Sequence, residues 1–161
     1  MWLAFGTVGF MLAAGVAVVA VIKKRYDEWT PRRIARAMRA LPPQPIGALV
    51  AGTRACVVGE VRSLGPFTNR AGVPCVAHRF DVALAEAEYG TRTRSMAMGV
   101  VFELEDPSGV VRIDPAGAIE LEPEQVSAGQ RVAVVGTVEH HASGVCLIGR
   151  PGAPLLIARV D

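Results

Sequence analysis

The feature that most constrains this chain is an apolar stretch from Trp2 to Ile22. It contains 21 residues without a charge, and Thr7 carries its only polar side chain. An α-helix of that length is about 31 Å long, close to the thickness of the hydrocarbon core of a bilayer. A cleaved signal would carry its basic residues before the apolar run, and a buried core helix this apolar on every face does not suit so small a domain. The stretch therefore predicts a transmembrane helix at residues 1–22.

The residues that follow the apolar stretch are strongly basic. Residues 23–41 contain two acidic residues and seven basic ones, which we name the basic collar: Lys23, Lys24, Arg25, Arg32, Arg33, Arg36 and Arg39. Basic flanks of a membrane span stay in the cytoplasm. We therefore expect a single-pass protein of the cell membrane with its N-terminus outside and its C-terminal domain cytoplasmic.

A short amphipathic helix is predicted within residues 23–45. Thr30 and Pro31 suit the N-cap and the first helical position. Ile34, Met38 and Leu41 recur at the spacing of one helix face, and a proline-rich linker follows. Two interpretations remain open. The basic collar could bind anionic lipid headgroups, which would make membrane lipid a partner, or its charges could only set the topology of a solvated linker helix.

The charge of the remaining chain differs from that of the collar. Residues 42–161 contain ten Arg and thirteen acidic residues, a net charge of −3, and four aromatic residues (Phe67, Phe80, Tyr89 and Phe102). A nucleic-acid-binding domain usually presents positive charge and aromatic platforms on its surface. From the sequence we therefore expect no nucleic-acid partner. Three widely spaced cysteines favour reduced thiols in a cytoplasmic compartment.

An internal repeat indicates how residues 46–161 fold. The segments 51–61 and 128–138 are identical at seven of eleven positions, AGTRACVVGEV against AGQRVAVVGTV. Each reads as a turn glycine followed by a strand with a second glycine inside it, where a strand bends most easily. Two copies are too few for a solenoid. They predict two equivalent strands of one small barrel.

Further strand patterns surround the repeat. We expect an alternating strand at 75–84, a hairpin of 97–105 with 110–114, a second hairpin of 130–140 with 145–148, and a last strand at 155–160. Helical periodicity is nearly absent from this part of the chain. The sequence therefore predicts an all-β fold, a small OB-like β-barrel domain at 46–161 preceded by a single N-terminal transmembrane helix.

Residues 45–160 resemble the GIDE (Mulan-type) domain. The similar positions are Pro66, Gly72-Val73-Pro74-Cys75-Val76, Arg79, Val82, and the run Phe102-x-Leu104-x-Asp106-x-x-Gly109-x-Val111-x-Ile113-Asp114-Pro115-x-Gly117-Ala118. In that family the domain lies beside a membrane and is anchored by an N-terminal helix. The resemblance implies a membrane-proximal interaction domain.

The resemblance does not extend to ubiquitin-ligase chemistry. In the eukaryotic ligases of the family a second membrane helix and a zinc-binding RING follow the domain. This sequence contains no Cys-x-x-Cys pair, so we expect a form without the RING and the second helix, and no enzyme activity.

Candidate catalytic and metal-binding residues are few. Cys75 and His78 alternate to opposite faces of a strand, and His140 and His141 at a turn are usually exposed rather than metal-bound with Cys146. Asp106 and Asp114 suit a turn and a strand end better than acid–base work, and Glu120, Glu122 and Glu124 suit a solvated edge. We expect no catalytic residue, no metal site and no cofactor.

The function predicted is a membrane-anchored, non-enzymatic interaction or scaffolding module, with an anionic-lipid-sensing module as the alternative. Its partner would be another membrane protein or a cytoplasmic protein, or a second copy of the chain. The longest stretches without a strand pattern, Gly65–Pro74 and Glu88–Arg94, are the candidate binding surface. Arg70, Arg92 and Arg94 are its candidate partner-binding residues.

Overall fold

A computed structural model describes residues 31–87 and 90–161, with the backbone alone at 84–87 and 90–94. A helix, α1, spans residues 31–40, and a 3₁₀ turn spans Ile46–Ala48. The strands are β1 Arg54–Ser63, β2 Ala77–Ala87, β3 Gly90–Gly99, β4 Phe102–Asp106, β5 Gly109–Asp114, β6 Ile119–Leu121, β7 Gln125–Val126, β8 Arg131–His141, β9 Gly144–Ile148 and β10 Leu155–Arg159.

The predicted transmembrane helix at 1–22 lies outside the described residues. Within residues 31–87 and 90–161, no helix combines the length and the apolar character needed to cross a membrane.

Five strands close into a barrel in the order β1-β4-β5-β9-β8, with β8 pairing back to β1. All neighbours are antiparallel except β5 and β9, which run parallel. The side chains that fill it are almost all aliphatic and fully buried, among them Val57, Leu104, Val111, Ile113, Val134 and Leu147. The predicted all-β barrel is confirmed, and so are both predicted barrel hairpins (β4–β5 and β8–β9).

The two copies of the internal repeat pair with each other. β1 and β8 are antiparallel, and Val57 lies directly opposite Val134, its equivalent in the other copy. The turns obey the same symmetry: the Gly52 amide donates to the Val138 carbonyl at 2.8 Å, and the Gly129 amide donates to the Val61 carbonyl at 2.8 Å. A local two-fold axis therefore passes between β1 and β8, which confirms that the copies are equivalent strands of one barrel.

The glycine inside each copy marks a close approach of another strand. A Cβ atom on Gly59 would lie 2.7 Å from the Glu105 carbonyl oxygen of β4. A Cβ atom on Gly136 would lie 2.8 Å from the Leu155 side chain of β10. At Gly59 the contact is with backbone, so any other residue would push β4 away. At Gly136 the nearest atom is the end of the flexible Leu155 side chain, which can shift.

The apolar face of α1 packs on the outside of the barrel. From Ile34 onward it joins a second buried cluster, formed with Cys56, Ala133, Val135, Leu156 and Ala158. Ile34 is only 2% exposed. The spacing of Ile34, Met38 and Leu41 predicted the helix and its apolar face, but not the surface that this face covers.

β2 and β3 form a long two-stranded ribbon between β1 and β4. Their register runs from Ala77 opposite Gly99 to Ala87 opposite Gly90. The short strand β7 pairs with β2 at Ala77 and His78, which gives a second sheet in the order β3-β2-β7.

The ribbon corrects two expectations. A single strand at 97–105 is wrong, because β3 ends at Gly99 and β4 begins at Phe102. A Cβ atom on Gly99 would lie 2.8 Å from the Val76 carbonyl oxygen, so the chain passes too close to its neighbour there for a side chain. The expectation that Glu88–Arg94 is a loop is also wrong, because residues 90–94 belong to β3.

Candidate functional site

The loop at residues 64–76 lies on one face of β2. The ring of Phe67 stacks on the ring of His78, with centroids 5.7 Å apart and an interplanar angle of 28°. The Arg70 guanidinium carbon lies 4.9 Å from the centroid of the Phe80 ring, within cation–π range. His78 is 5% exposed as a result. The loop therefore covers the aromatic side chains of β2.

Asn69 holds this loop in shape. Its side-chain oxygen accepts hydrogen bonds from the Ala71 and Val73 amides at 2.9 and 3.0 Å. Its side-chain nitrogen donates to the side chain of Gln125, the first residue of β7, at 2.8 Å. These bonds close the turn that carries Arg70 and tie it to the second sheet.

Two exposed methionines continue the same face across β3. Met96 lies opposite Phe80, Met98 lies opposite His78, and directly opposed residues of an antiparallel pair share a face. Met96 is 45% exposed and Met98 is 46% exposed. We name this face the ribbon surface: Phe67, Arg70, His78, Phe80, Met96 and Met98.

The other face of the ribbon meets the barrel. Ala77 is fully buried in the main core, and Ala97 packs against that core. Since successive residues of a strand point to opposite faces, this contact turns Met96 and Met98 away from the barrel. The ribbon therefore packs on the barrel core through the small side chains of Ala77 and Ala97.

The structure places the three predicted partner-binding residues on one sheet and its covering loop. Arg70 is exposed and belongs to the ribbon surface. Arg92 and Arg94 occupy register positions opposite Ala85 and Val82 in β3. Their side chains lie outside what the structure describes, so their role stays a prediction.

The basic collar is described only in part. Lys23, Lys24 and Arg25 lie outside the described residues. On α1, Arg32, Arg36 and Arg39 are exposed and Arg33 is half-buried.

The candidate metal-binding residues are not gathered into a site. Within residues 31–87 and 90–161, no group of three or more His, Cys, Asp or Glu side chains could hold a metal ion. His140 and His141 are exposed, whereas Cys146 is buried. Burial raises the pKa of the Cys56, Cys75 and Cys146 thiols, which keeps them protonated and weakly nucleophilic.

Asp106 has a structural role. Its side chain accepts hydrogen bonds from the Ser108 amide at 2.7 Å, the Gly109 amide at 3.0 Å and the distant Ile46 amide at 2.9 Å. Burial acts to raise the pKa of this carboxyl, but the hydrogen bonds from Ser108, Ile46 and Gly109 outweigh it and lower the pKa. The side chain both starts the β4–β5 turn and ties it to the 3₁₀ turn, which confirms its predicted part in the turn.

Sequence reasoning missed Met96 and Met98 as functional candidates. One signal was present, since Arg92, Arg94, Met96 and Met98 alternate with small or hydroxylated residues at the period of a strand. Because residues 88–94 were expected to form a loop, this alternating pattern was not interpreted as a strand.

Comparisons with known proteins support the fold. Neither protein-family models nor curated proteins match the chain. Among solved structures, it is similar to the solution structure of the second OB-fold domain of replication protein A from Methanococcus maripaludis. The two share 18% identity over 74% of this chain and 92% of that domain, with a TM-score of 0.37. The closed five-stranded order β1-β4-β5-β9-β8 confirms the OB-like character of the barrel.

The same match corrects one expectation. The matched domain comes from a replication protein, so excluding nucleic acid from the partner classes was wrong. That exclusion rested on whole-domain charge and a low aromatic content, which cannot reveal that Phe67, Arg70, His78 and Phe80 gather on one surface. Membrane lipid gains no support as a partner and is not carried forward.

Proposed function

We propose that this chain is a non-enzymatic interaction module that binds a partner protein through the ribbon surface. In this proposal the apolar stretch at 2–22 anchors the module, and the barrel stands at the cytoplasmic face of the membrane. It would correspond to the membrane-side domain of GIDE-type proteins without their ligase chemistry.

The observation that carries the proposal is the exposure of Met96 and Met98 on an ordered face. Methionine side chains are flexible and polarisable, and they are common at surfaces that bind other proteins. Here they stand beside aromatic rings that the loop at 64–76 holds in place. The loop is held in one conformation, and the methionine side chains can adapt to a partner. This combination suits recognition, because little conformational entropy of the loop is lost on binding.

The ribbon surface lies on the face of β2 and β3 that is turned away from the barrel core. The ribbon meets the barrel through Ala77 and Ala97, whereas the core is closed by its own strands. Changes at Met96 and Met98 should therefore alter binding without unfolding the barrel.

The test is chemical crosslinking of the full-length protein in its native host, compared between M96S/M98S and V110S. Val110 is 47% exposed on β5, so V110S is a matched loss of an exposed apolar side chain elsewhere. We expect one discrete protein adduct that wild type and V110S form and M96S/M98S loses. The same adduct from all three proteins, or no protein adduct from wild type, would contradict the proposal.

A further inference from the structure

The outer edge of β3 is a long open strand edge within the described residues. The second sheet has the order β3-β2-β7, so β3 pairs with β2 on one side and with no other described strand on its outer side. An unpaired strand edge presents a row of backbone N–H and C=O groups that can pair with another chain.

The other unpaired edges in residues 31–87 and 90–161 are short or acidic. Beyond its pairing with β7 at its first two residues, the outer edge of β2 has no described strand partner, and this part of β2 carries Asp81 and Glu86. β7 has two residues and β6 has three, and β6 is followed by Glu122 and Pro123, which blunt an edge. β3 has ten residues. Its length is enough for a partner segment to form a full strand against it.

The charge along this edge is positive. The loop at 64–76 and β3 together contain three arginines, Arg70, Arg92 and Arg94, and no acidic residue. The acidic residues of the two ribbon strands, Asp81 and Glu86, belong to β2, and the Asp81 carboxylate accepts a hydrogen bond from the Ser95 hydroxyl of β3 at 2.6 Å. An edge strand with this charge favours an acidic partner segment.

We propose that the β3 edge binds an extended, acidic segment of a partner protein as an additional strand of the second sheet. This inference rests on the proposed function and names the chemistry of its partner. The backbone of β3 pairs with the segment, Met96 and Met98 contact its apolar side chains, and Arg92 and Arg94 supply the positive charge that selects acidic residues.

Two other occupants fit the edge less well. A single-stranded nucleic acid would bind through aromatic and basic side chains rather than through the backbone edge of β3. A second copy pairing its full β3 antiparallel to this one would place Arg92 opposite Ala97 and Arg94 opposite Ser95, so the two edges would lack complementary charge.

The test uses hydrogen–deuterium exchange on the purified full-length protein in detergent. The probe is a synthetic peptide with threonine at every second position and, at the positions between, glutamate in one half and valine in the other, so that both residue types lie on one face of the added strand. Its controls are the same peptide with lysine in place of glutamate, the glutamate peptide with a central proline that blocks strand pairing, and an oligothymidylate. We expect the glutamate peptide alone to slow exchange in residues 90–99 by about tenfold while leaving 109–114 unchanged.

A charge-reversal pair sharpens the test. R92E/R94E should weaken binding of the glutamate peptide by about tenfold, whereas R36E/R39E on α1 should leave it unchanged. Protection of residues 90–99 by oligothymidylate, by self-association, or by both peptides equally would overturn the proposal. If the crosslinked adduct depends on Met96 and Met98 but no peptide protects β3, the proposed function stands and edge pairing is wrong.

Discussion

The barrel and the ribbon are both built from β-strands, but they differ in how the strands are paired and how far their side chains are exposed. In the barrel every strand is paired on both sides around a fully buried aliphatic core. In the ribbon, β3 is paired on one side only, and two of its large side chains stand nearly half exposed. Burial of apolar area stabilises the first region, whereas exposed apolar area and an open edge leave the second available for binding.

The comparison teaches that the two regions can vary independently. The ribbon rests on the barrel core through Ala77 and Ala97, so its outer face contributes little to that core. The predictions below change one region while reading out both.

The largest effect should follow removal of the biggest buried side chain of the barrel. Phe102 is completely buried. F102A should lower the free energy of unfolding by about 3–5 kcal/mol, because the substitution leaves a cavity. F67A, in the half-buried loop of the ribbon, should cost only about 1–2 kcal/mol. Urea unfolding measures both, and an equal loss would show that the ribbon is part of the core.

The glycine inside β1 should be nearly as sensitive. G59A places a Cβ atom 2.7 Å from the Glu105 carbonyl oxygen and should cost about 1–3 kcal/mol by pushing β4 away. Gly65, in the loop of the ribbon, has no atom within 4 Å of its would-be Cβ. G65A should therefore change stability by less than about 0.5 kcal/mol. Thermal unfolding of the two variants decides this, and an undiminished stability of G59A would contradict the close approach.

The Asp106 turn should make barrel stability depend on pH. Its folded pKa is lowered, so its contribution is complete above the unfolded value of about 3.9 and is lost as pH falls through the folded pKa. D106N should cost about 1 kcal/mol at pH 7, because an amide accepts weaker hydrogen bonds than a carboxylate. Urea unfolding at pH 6 and pH 2.5 should show the difference between wild type and D106N shrinking at low pH. A constant difference would contradict the role of the charge.

The smallest effect on stability should come from the ribbon surface. M96S/M98S removes side chains that are already about half exposed, so each change should alter the free energy of unfolding by less than about 0.5 kcal/mol. A calorimetric melt compares it with V110S. A large loss of stability in M96S/M98S alone would mean that these methionines stabilise the fold, and would contradict their role as an exposed binding surface.

Much of the barrel could be predicted from the sequence, because its signals are local. The repeated AGxRxxVVGxV segment predicted β1 and β8, and the turn at Asp106 predicted the β4–β5 hairpin. Their pairing around a local two-fold axis required the structure, since register is set by contacts between distant residues.

The ribbon could be predicted only in part, for two physical reasons. Residues 90–95 contain no apolar side chain, so they lack the alternation of a half-buried strand, and pairing with β2 determines their structure. The approach of Gly99 to Val76 that separates β3 from β4 is a tertiary contact without a pattern in the sequence. The ribbon surface could not be predicted for the same reason: Phe67 and Arg70 reach β2 through tertiary contacts of a loop.

The most direct test of the account is site-specific photocrosslinking of the full-length protein in its native host. A photoreactive residue replaces Met96 in one variant and Val110, similarly exposed on the barrel, in another. The account predicts a discrete adduct with one partner protein from position 96 and none from position 110. An adduct from position 110 alone, or the same adducts from both positions, would contradict recognition by the ribbon.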